Sequence, residues 1–430
     1  MHRRGVGTPV LVGSFIVAFL LGLGVMYGVA PSLISTSSST NKELVQGCPN
    51  NICTIGEIRD LSGVDSGAGL PGKIASQMAI TAVNNMLSQG GSPVRFKLVI
   101  DDGASDPTTS LTALQNLASQ GIQVCVCGDT SGEAANMLSY ANSNHIVLLA
   151  ISSAVSLAIP NDYLFRLIPD DAASGPAGAA VMYGQGVRAM IMIYRNDPFG
   201  SGLANSTVVA FKALGGTVVG DLSYSPVASG SYDFTAQLTQ ANSDYQNAVK
   251  QFGASHVAIA TIGFSEVGTM LSQAQVLFPA LLNTTWYGGN GIVGAESAIT
   301  SPALDEQVKL ISTSFAPENS SKFIAFSNAL QKATGGSFPQ YEAAVYDETW
   351  VAAMSILAVG NNGTAVQKIL PTIADNTYGV IGWLHLDAAG DLAGGDQGIW
   401  EIANVNGQAQ WVYLGVYVSA TGQITYVRQP

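Results

Sequence analysis

The sequence predicts an α/β protein with two doubly wound, parallel-sheet lobes that follow an N-terminal transmembrane helix. Three observations lead to this fold class. From residue 54 onward, short apolar segments alternate with amphipathic stretches, as in parallel strands joined by helices. This alternation restarts after residue 168, and 430 residues are enough for two hydrophobic cores. A run of 21 uncharged residues precedes both lobes.

The N-terminal run spans 10–30, follows Arg3 and Arg4, and is long enough to cross a bilayer. Basic residues before such a run stay in the cytoplasm, so the rest of the chain is expected outside the cell. We predict a retained signal-anchor with single-pass topology, followed by a Ser/Thr-rich stalk over 31–47. The alternative is a signal peptide that is cleaved after Gly28-Val29-Ala30.

The first lobe is predicted to contain strands at 54–59, 94–100, 122–127 and 146–150, with helices at 72–88, 107–119 and 132–143. After a segment at 163–168, the second lobe has strands at 188–194, 217–223, 256–261 and 285–288. Its helices are predicted at 200–214, 233–252 and 265–277. The tail adds helices at 318–334, 341–359 and 364–375, then strands near 380–386, 398–402, 411–417 and 424–427.

Charge is sparse in this chain. Asp, Glu, Lys and Arg make up 11% of the residues, where a typical soluble domain has about 25%, and the net charge is −12. The basic residues are not clustered, which excludes a nucleic-acid-binding protein. Our hypothesis for the low charge is an acidic exterior, where carboxylates are protonated and neutral polar residues and glycans maintain solubility.

The four cysteines suit an oxidising exterior but are too few for a disulfide-built scaffold. Cys48 and Cys53 bracket a short loop and could close a small ring, whereas Cys125 and Cys127 are expected to be buried thiols. A bridge from Cys53 to Cys125 or Cys127 also remains open. No metal site is predicted, because no further Cys or His cluster accompanies the C-x-C pair. N-glycosylation sequons begin at Asn205, Asn283, Asn319 and Asn362.

Ligands of doubly wound sheets bind beyond the carboxyl ends of the strands. In the first lobe these ends are 60–63, 128–133 and 152–153. In the second lobe they are 196–200, 263–266 and 288–291. Two such crevices facing each other would form a clamp lined by hydroxyls, aromatic rings and backbone amides. No catalytic or nucleotide-binding motif follows a strand, and no base lies near Ser131, so neither an enzyme nor a cofactor is predicted.

Several of these segments closely resemble the type I periplasmic binding proteins, specifically the branched-chain amino acid binding subunits of ABC importers. The matching stretches include IGEIRDLSG (55–63), CGDTSGEA (127–134), FRLIPDDAASGPAGA (165–179), YRNDPFGSGLA (194–204), IGFSEVGTMLSQA (262–274) and YGGNGI (287–292). They keep one order along the chain from residue 54 to its end.

The resemblance implies a hinged clamp in which the chain crosses between the lobes three times. Lobe 1 is then expected over 54–170 with 314–393, and lobe 2 over 171–313 with 394–430. The implied function is an extracellular solute-binding protein that delivers a small polar metabolite to an ABC permease. The alternative function is a ligand-sensing receptor ectodomain that signals to a membrane partner.

The resemblance also implies which residues contact the ligand. Thr130 and Ser131 stand where the family holds the ligand carboxylate, although Thr130-Ser-Gly-Glu is also a capping box. Ser152 and Ser153 replace the family's Ala-Thr. Phe199 and Phe264 take the positions of aromatic residues that close over the ligand, with a role in the core as the alternative reading.

Asn290 is the largest departure from the family pattern. Members that bind amino acids carry an acid at this position, which pairs with the ligand ammonium, whereas asparagine is neutral. Glu266 or Asp129 could supply the missing charge. Otherwise the ligand is an amide, a carboxylate or another small polar molecule. On the sequence alone, Asn290→Asp is expected to improve amino-acid binding.

Overall fold

The computed structural model describes residues 43–227, 231–295, 299, 302–336 and 338–428. The predicted signal-anchor at 10–30 and most of the predicted stalk lie outside these residues. Within the described part of the chain, no helix combines the length and the apolar composition that a membrane span needs.

The first sheet contains five parallel strands in the order β2-β1-β3-β4-β5. Its core strands are buried on both faces because helices cover each side, and they consequently read as continuous apolar runs. The strands are β1 (Ile52–Arg59), β2 (Arg95–Asp102), β3 (Val124–Val126), β4 (Val147–Leu149) and β5 (Leu164–Phe165). The helices between them are α1 (Ser66–Gln89), α2 (Pro107–Ser119) and α3 (Ser131–Asn144).

The second sheet has eight strands in the order β13-β12-β11-β10-β9-β8-β6-β7. The strands from β6 to β10 are parallel, whereas β11, β12 and β13 extend the sheet in antiparallel fashion. The parallel strands are β6 (Ala189–Arg195), β7 (Thr217–Tyr224), β8 (Val257–Ile262), β9 (Trp286–Gly288) and β10 (Ile311–Phe315). The others are β11 (Gln397–Val405), β12 (Gln408–Val418) and β13 (Gln423–Tyr426).

Helices α4 (Asp171–Gly184), α5 (Pro198–Ala213), α6 (Thr235–Phe252), α7 (Val267–Leu277) and α8 (Pro302–Val308) accompany the second sheet. The tail helices α9 (Ser321–Thr334), α10 (Pro339–Val359) and α11 (Gly363–Asp375) instead share a hydrophobic core with the first sheet. We call the first sheet with α1–α3 and α9–α11 lobe 1, and the second sheet with α4–α8 lobe 2. The chain passes between them after β5, after β10 and before β11.

Two parts of the tail differ from the sequence prediction. The strand near 380–386 does not form, since this segment makes only isolated bridges at Tyr378–Trp383 and Leu386–Leu392. Its N–H groups at Val380 and Ile381 bond the Asp347 carboxylate at 2.9 Å each, rather than a neighbouring strand. Conversely, β10 was not predicted, because its sequence ISTSF interleaves hydroxyls with apolar residues although all five positions are buried.

The cysteines take two different roles. Cys48 and Cys53 form a disulfide that closes a short loop just before β1. The segment just before this loop is held against the turn after α10, where the Asn361 N–H donates to the Gln46 carbonyl at 2.9 Å. Cys125 and Cys127 are free and buried in lobe 1, as predicted.

Candidate binding cleft between the lobes

Loops at the carboxyl ends of the two sheets contact each other at the junction between the lobes, which we call the candidate cleft. On one side, the Ser265 hydroxyl, in the loop after β8, donates to the Val64 carbonyl, in the loop after β1, at 3.3 Å. On the other side, the Asp171 N–H at the start of α4 donates to the Ser153 carbonyl at 2.8 Å. The loops that follow the strands of both lobes therefore face each other, which is where doubly wound sheets bind their ligands.

Thr130 and Ser131 begin α3 at the lobe 1 side of this cleft. The predicted capping box is present, because the Thr130 hydroxyl accepts from the Glu133 N–H at 3.4 Å and the Glu133 carboxylate accepts from the Thr130 N–H at 2.9 Å. The Ser131 hydroxyl is 2% exposed and accepts from the Ala154 N–H at 3.2 Å. Both side chains are thus engaged within lobe 1.

Ser152 and Ser153 follow β4 beside Ser131. The Ser152 carbonyl accepts from the Arg166 guanidinium at 3.0 Å, which fixes the loop to β5. The Ser152 hydroxyl is buried without a hydrogen-bond partner among the described residues. The Ser153 hydroxyl instead lies against the Asp171 carboxyl, and its hydrogen bond works to lower the pKa of that acid. This serine pair therefore places hydroxyls at the junction between the lobes.

Phe199 and Phe264 form an aromatic wall on the lobe 2 side. Their rings stack with centroids 4.7 Å apart and an interplanar angle of 9°. The Arg195 guanidinium covers Phe264 at 4.4 Å from the ring centroid. Phe199 is almost fully buried and belongs to the core of lobe 2, in line with the alternative reading of this residue, and its contact with a ligand stays a prediction.

Glu266 lies behind this wall in a buried polar network. Its carboxylate accepts from Arg195 at 3.1 Å, from the Tyr224 hydroxyl at 2.7 Å and from the Phe264 N–H at 3.1 Å. Burial and the adjacent Glu266 charge raise the pKa of Tyr224, so the phenol stays a hydrogen-bond donor. The Glu266 carboxylate already has a cation in Arg195, which weakens the case for it as the partner of a ligand ammonium.

Asp129, the other acid considered from the sequence, is also paired. The Arg59 guanidinium bonds Asp129 and also donates to the Glu57 carboxylate at 3.0 Å. The second Asp129 oxygen accepts from the Asp60 N–H at 3.0 Å. Burial and the neighbouring Glu133 charge raise the pKa of Asp60 to about 10. The Asp60 and Glu133 carboxyls therefore share one proton at neutral pH.

Asn290 contacts an acid that the sequence analysis did not select. Its amide Nδ2 donates to Asp171 Oδ1 at 3.0 Å and to the Ser174 hydroxyl at 3.4 Å. Asp171 is 0% exposed, and burial raises its pKa to about 7 against the opposing hydrogen bonds from Asn290 and Ser153. Asp171 Oδ2 and Asn290 Oδ1 are both buried and have no hydrogen-bond partner among the described residues.

The signal that could have revealed Asp171 is the double acid at the start of α4. Asp170 is the N-cap, and its carboxylate accepts from the Ala172 N–H at 3.0 Å. One acid is enough to cap a helix, so the next acid was available for another role. Its burial could not be inferred from the sequence, because Asn290 and Tyr341, which lie near the Asp171 side chain, belong to distant parts of the chain.

A small cavity lies in lobe 2 next to this polar group. It has a volume of about 20 Å³ and is lined in part by Ser174, Thr207, Gly289 and Thr313. This space is enough for about one water molecule. The part of the chain that the structure describes contains no group of three or more His, Cys, Asp or Glu side chains suited to hold a metal ion.

Comparison with known proteins agrees with this architecture. A family model described as a periplasmic binding protein matches residues 53–382. The chain is also 29% identical over 401 residues to an uncharacterized protein of Methanocaldococcus jannaschii, in an alignment that covers 88% of this chain and 93% of that relative.

Solved structures resemble the fold at low sequence identity. One is the branched-chain amino acid transporter substrate-binding protein of Streptococcus pneumoniae in complex with isoleucine, with a TM-score of 0.66, 21% identity, and coverage of 84% of this chain and 99% of that one. Another is a solute-binding protein of an ABC transporter from Rhodopseudomonas palustris in complex with 3,4-dihydroxybenzoic acid, with a TM-score of 0.68, 14% identity, and coverage of 86% and 98%.

Proposed function

Because this chain belongs to the periplasmic binding protein family, we propose that it is an extracellular solute-binding protein of an ABC importer. It captures a small polar metabolite, either an amino acid or an amide-like compound, by closure of two lobes, and it catalyses no reaction. The observation that carries this proposal is the cleft itself, where buried polar atoms without partners come from segments of both lobes. The solved structures with isoleucine and with an aromatic acid support the solute-binding role.

The division of the chain supports a hinged clamp. We assign 54–170 with 314–393 to lobe 1 and 171–313 with 394–430 to lobe 2, although the border at 313/314 falls inside β10. Three connections then link the lobes, and they allow rotation without breaking either core. A ligand that contacts both lobes favours the closed form, because those contacts exist together only after closure.

The location follows from the sequence upstream of the lobes. We propose that 10–30 is a signal-anchor in the cell membrane and that 31–47 is a stalk that leaves the clamp outside, close to the permease. Glycosylation of Asn205, Asn283, Asn319 and Asn362 fits this location, since all four side chains are exposed. Extraction of the full chain from membranes by alkaline carbonate alone would contradict the anchor, and unmodified masses of these four peptides would contradict glycosylation.

A thermal-shift screen tests the solute-binding function directly. The compounds are the common L-amino acids, simple amides, urea and short carboxylates, each added to the purified extracellular part of the chain. At least one class is expected to raise the melting temperature in a concentration-dependent way, since a ligand that binds only the folded state stabilises it. Calorimetric titration then gives its affinity. No stabilisation by any of these compounds would contradict the proposal.

A further inference from the structure

A second cavity lies in lobe 2, at the edge of the sheet opposite the candidate cleft, and we call it the distal cavity. Its volume is about 480 Å³, within the range of roughly 300–1,000 Å³ that small-molecule pockets have. Val187, Ser255, Thr285 and Lys309, which line it, lie just before the parallel strands β6, β8, β9 and β10. Because the cleft lies at the carboxyl ends of these strands, the length of β8, six residues or about 20 Å, separates the two sites.

The wall of the distal cavity is largely polar and accessible from solvent. Ser255, Asn283, Gln307 and Lys309 are exposed, and Thr285 is partly buried. These side chains offer hydroxyl, amide and ammonium groups, of which the amides and hydroxyls can both donate and accept hydrogen bonds. A carbohydrate carries many hydroxyl groups and needs both donors and acceptors, so this wall suits a sugar better than an apolar ligand.

One of the four sequons lies at the distal cavity. Asn283 and Thr285 are its first and third residues, and both line the cavity. Asn283 ends the short helical turn Pro279–Asn283, with its side chain exposed. None of the other three sequon asparagines is among the described residues that line this cavity. An attachment point for a glycan and a polar wall therefore coincide at this sequon.

Hydrogen bonds hold the chain on both sides of Asn283. The Thr284 hydroxyl donates to the Val257 carbonyl at the start of β8. The buried Trp286 indole donates through Nε1 to the Leu281 carbonyl at 2.9 Å, which closes a turn of the chain around Asn283. These bonds restrict the position of Asn283 relative to the cavity wall, so a sugar attached to its side chain would stay close to that wall.

We propose that Asn283 carries an N-linked glycan whose first sugars occupy the distal cavity. In the attachment step, the Asn283 amide nitrogen bonds the anomeric carbon of an oligosaccharide, the bond from this carbon to the phosphate oxygen of its lipid carrier breaks, and one amide proton is released. The sugars then hydrogen-bond to Ser255, Gln307 and Lys309 at the cavity wall. This inference rests on the proposed extracellular location, and it goes beyond the sequon by assigning the glycan a binding site.

The position of this glycan is compatible with closure of the lobes. The lobes contact each other at the carboxyl ends of their strands, whereas the distal cavity lies at the amino ends of β6, β8, β9 and β10. Contacts between the sugars and the wall exist only in the folded state, so they stabilise it as a bound ligand does. The glycan also adds neutral hydroxyl groups to the surface of a protein in which charge is sparse.

Peptide masses test whether the glycan is present. The full chain is purified from the cells that naturally produce it, and the mass of each sequon peptide is measured after proteolysis. The Asn283 peptide is expected to carry sugar residues in most molecules. An unmodified Asn283 beside another, modified sequon would overturn this inference and leave the extracellular location intact. Unmodified masses at all four sequons would contradict this inference and glycosylation as a whole, whereas the solute-binding function is judged by the thermal-shift screen.

Asn283→Gln is the direct variant, because glutamine keeps the amide but does not form a sequon. Loss of the glycan from the cavity is expected to lower the melting temperature by about 2–4 °C for a lobe of this size. Asn205→Gln is the matched control on α5, outside the cavity, and should change the melting temperature by less than about 1 °C. In protein from cells that lack glycosylation enzymes, Asn283→Gln should have no effect. Equal shifts in the two glycosylated variants would overturn the proposal.

The double variant Ser255→Ala with Gln307→Ala tests the cavity wall, because both side chains are exposed and the sequon stays intact. The Asn283 peptide should remain modified in this variant. An amidase that cleaves the bond between asparagine and glycan should act on Asn283 about tenfold more slowly in the native wild-type protein than in the double variant, since the sugars leave the wall only by local opening. Equal rates in the two proteins would show that the glycan does not occupy the cavity.

Discussion

At the scale of single residues, buried carboxyl groups have different roles according to their hydrogen-bond and salt-bridge partners. Glu266 and Asp171 are both buried acids of lobe 2 near the cleft. Every short contact of Glu266 is to a donor of its own lobe, including Arg195, whereas Asp171 keeps one oxygen unpaired. We therefore assign Glu266 to the structure of the aromatic wall, whereas Asp171 is held by hydrogen bonds alone, without a salt-bridge partner among the described residues.

Glu266→Ala tests the structural assignment. The change leaves Arg195 buried with Asp197 as its remaining acid, and it leaves the Tyr224 hydroxyl with only the Ile262 carbonyl, at 3.4 Å, as acceptor among the described residues. The free energy of unfolding is expected to fall by about 2–4 kcal/mol, since buried Arg195 keeps only one of its two acids and the buried Tyr224 hydroxyl loses its shorter hydrogen bond. Urea denaturation monitored by circular dichroism gives this value.

The control for Glu266 is Asp375→Ala, which removes an exposed pair. Asp375 and His385 are 3.3 Å apart, with about half of each side chain exposed, at 49% and 59%. Water screens such a pair, so its loss should cost less than about 1 kcal/mol. Equal destabilisation by the two variants would show that the Glu266 network is not a buried ion pair in solution.

At the scale of elements, the Asp347 side chain accepts the hydrogen bonds that a neighbouring strand would otherwise accept from the segment at 380–381. The segment before β11 contains apolar residues and reads as a strand, but Gly379 approaches the Asp347 carboxylate so closely that a Cβ would lie 2.3 Å from Oδ2. Gly382 adopts φ of +116°, a conformation that other residues rarely take. These glycines turn the backbone so that its N–H groups point at Asp347 of α10 instead of at a sheet.

Asp347→Ala should therefore loosen this segment. Two buried N–H groups, of Val380 and Ile381, lose their acceptor, and the expected loss of unfolding free energy is about 2–4 kcal/mol. Asp347→Asn keeps one acceptor and should cost about half as much. Amide hydrogen exchange at 379–382 provides the local readout. Unchanged protection there in the alanine variant would contradict this account of the segment.

At the scale of the whole molecule, the sparse charge of the sequence is accompanied by buried carboxyls that retain protons. Burial raises the pKa of Asp65, Asp171 and Asp347 to about 7, and that of Glu342 and Glu348 to about 8. A raised pKa means that the folded state binds the proton more tightly than the unfolded state does. These groups therefore stabilise the fold fully below about pH 4 and lose that contribution as the pH rises toward 8.

The free energy of unfolding should accordingly be larger at pH 4–5 than at pH 8, by about 2 kcal/mol or more. This direction agrees with the hypothesis of an acidic exterior. Urea unfolding between pH 2 and 8, at constant ionic strength, measures the profile. Triple replacement of Glu342, Asp347 and Glu348 by the matching amides should flatten it. A steep loss of stability below pH 4 would contradict both the profile and the acidic-exterior hypothesis.

Much of the architecture could be predicted from residue patterns. The apolar strands of lobe 1 and helices such as α2, which begins at Pro107 after the Asp106 cap, lie where the sequence placed them, because their burial and capping depend on local residues. The strand β10 was missed because hydroxyl-rich strands have no apolar signature. The predicted contact residues, Ser131 and Phe264 among them, lie on segments that follow strands at the junction between the lobes, and their contact with ligand stays a prediction.

The sequence by itself determined the two-lobed class, most of the order of strands and helices and the positions of the loops between the lobes, because those depend on periodicity along the chain. Only the tertiary structure decided which buried acids form a salt bridge with an arginine and which have hydrogen bonds alone. Arg195 contacts Glu266, which is 71 residues away in the sequence, and Asn290 contacts Asp171, which is 119 residues away. The charge available to a ligand depends on these distant partners, and on the loss of water around them, neither of which a local pattern contains.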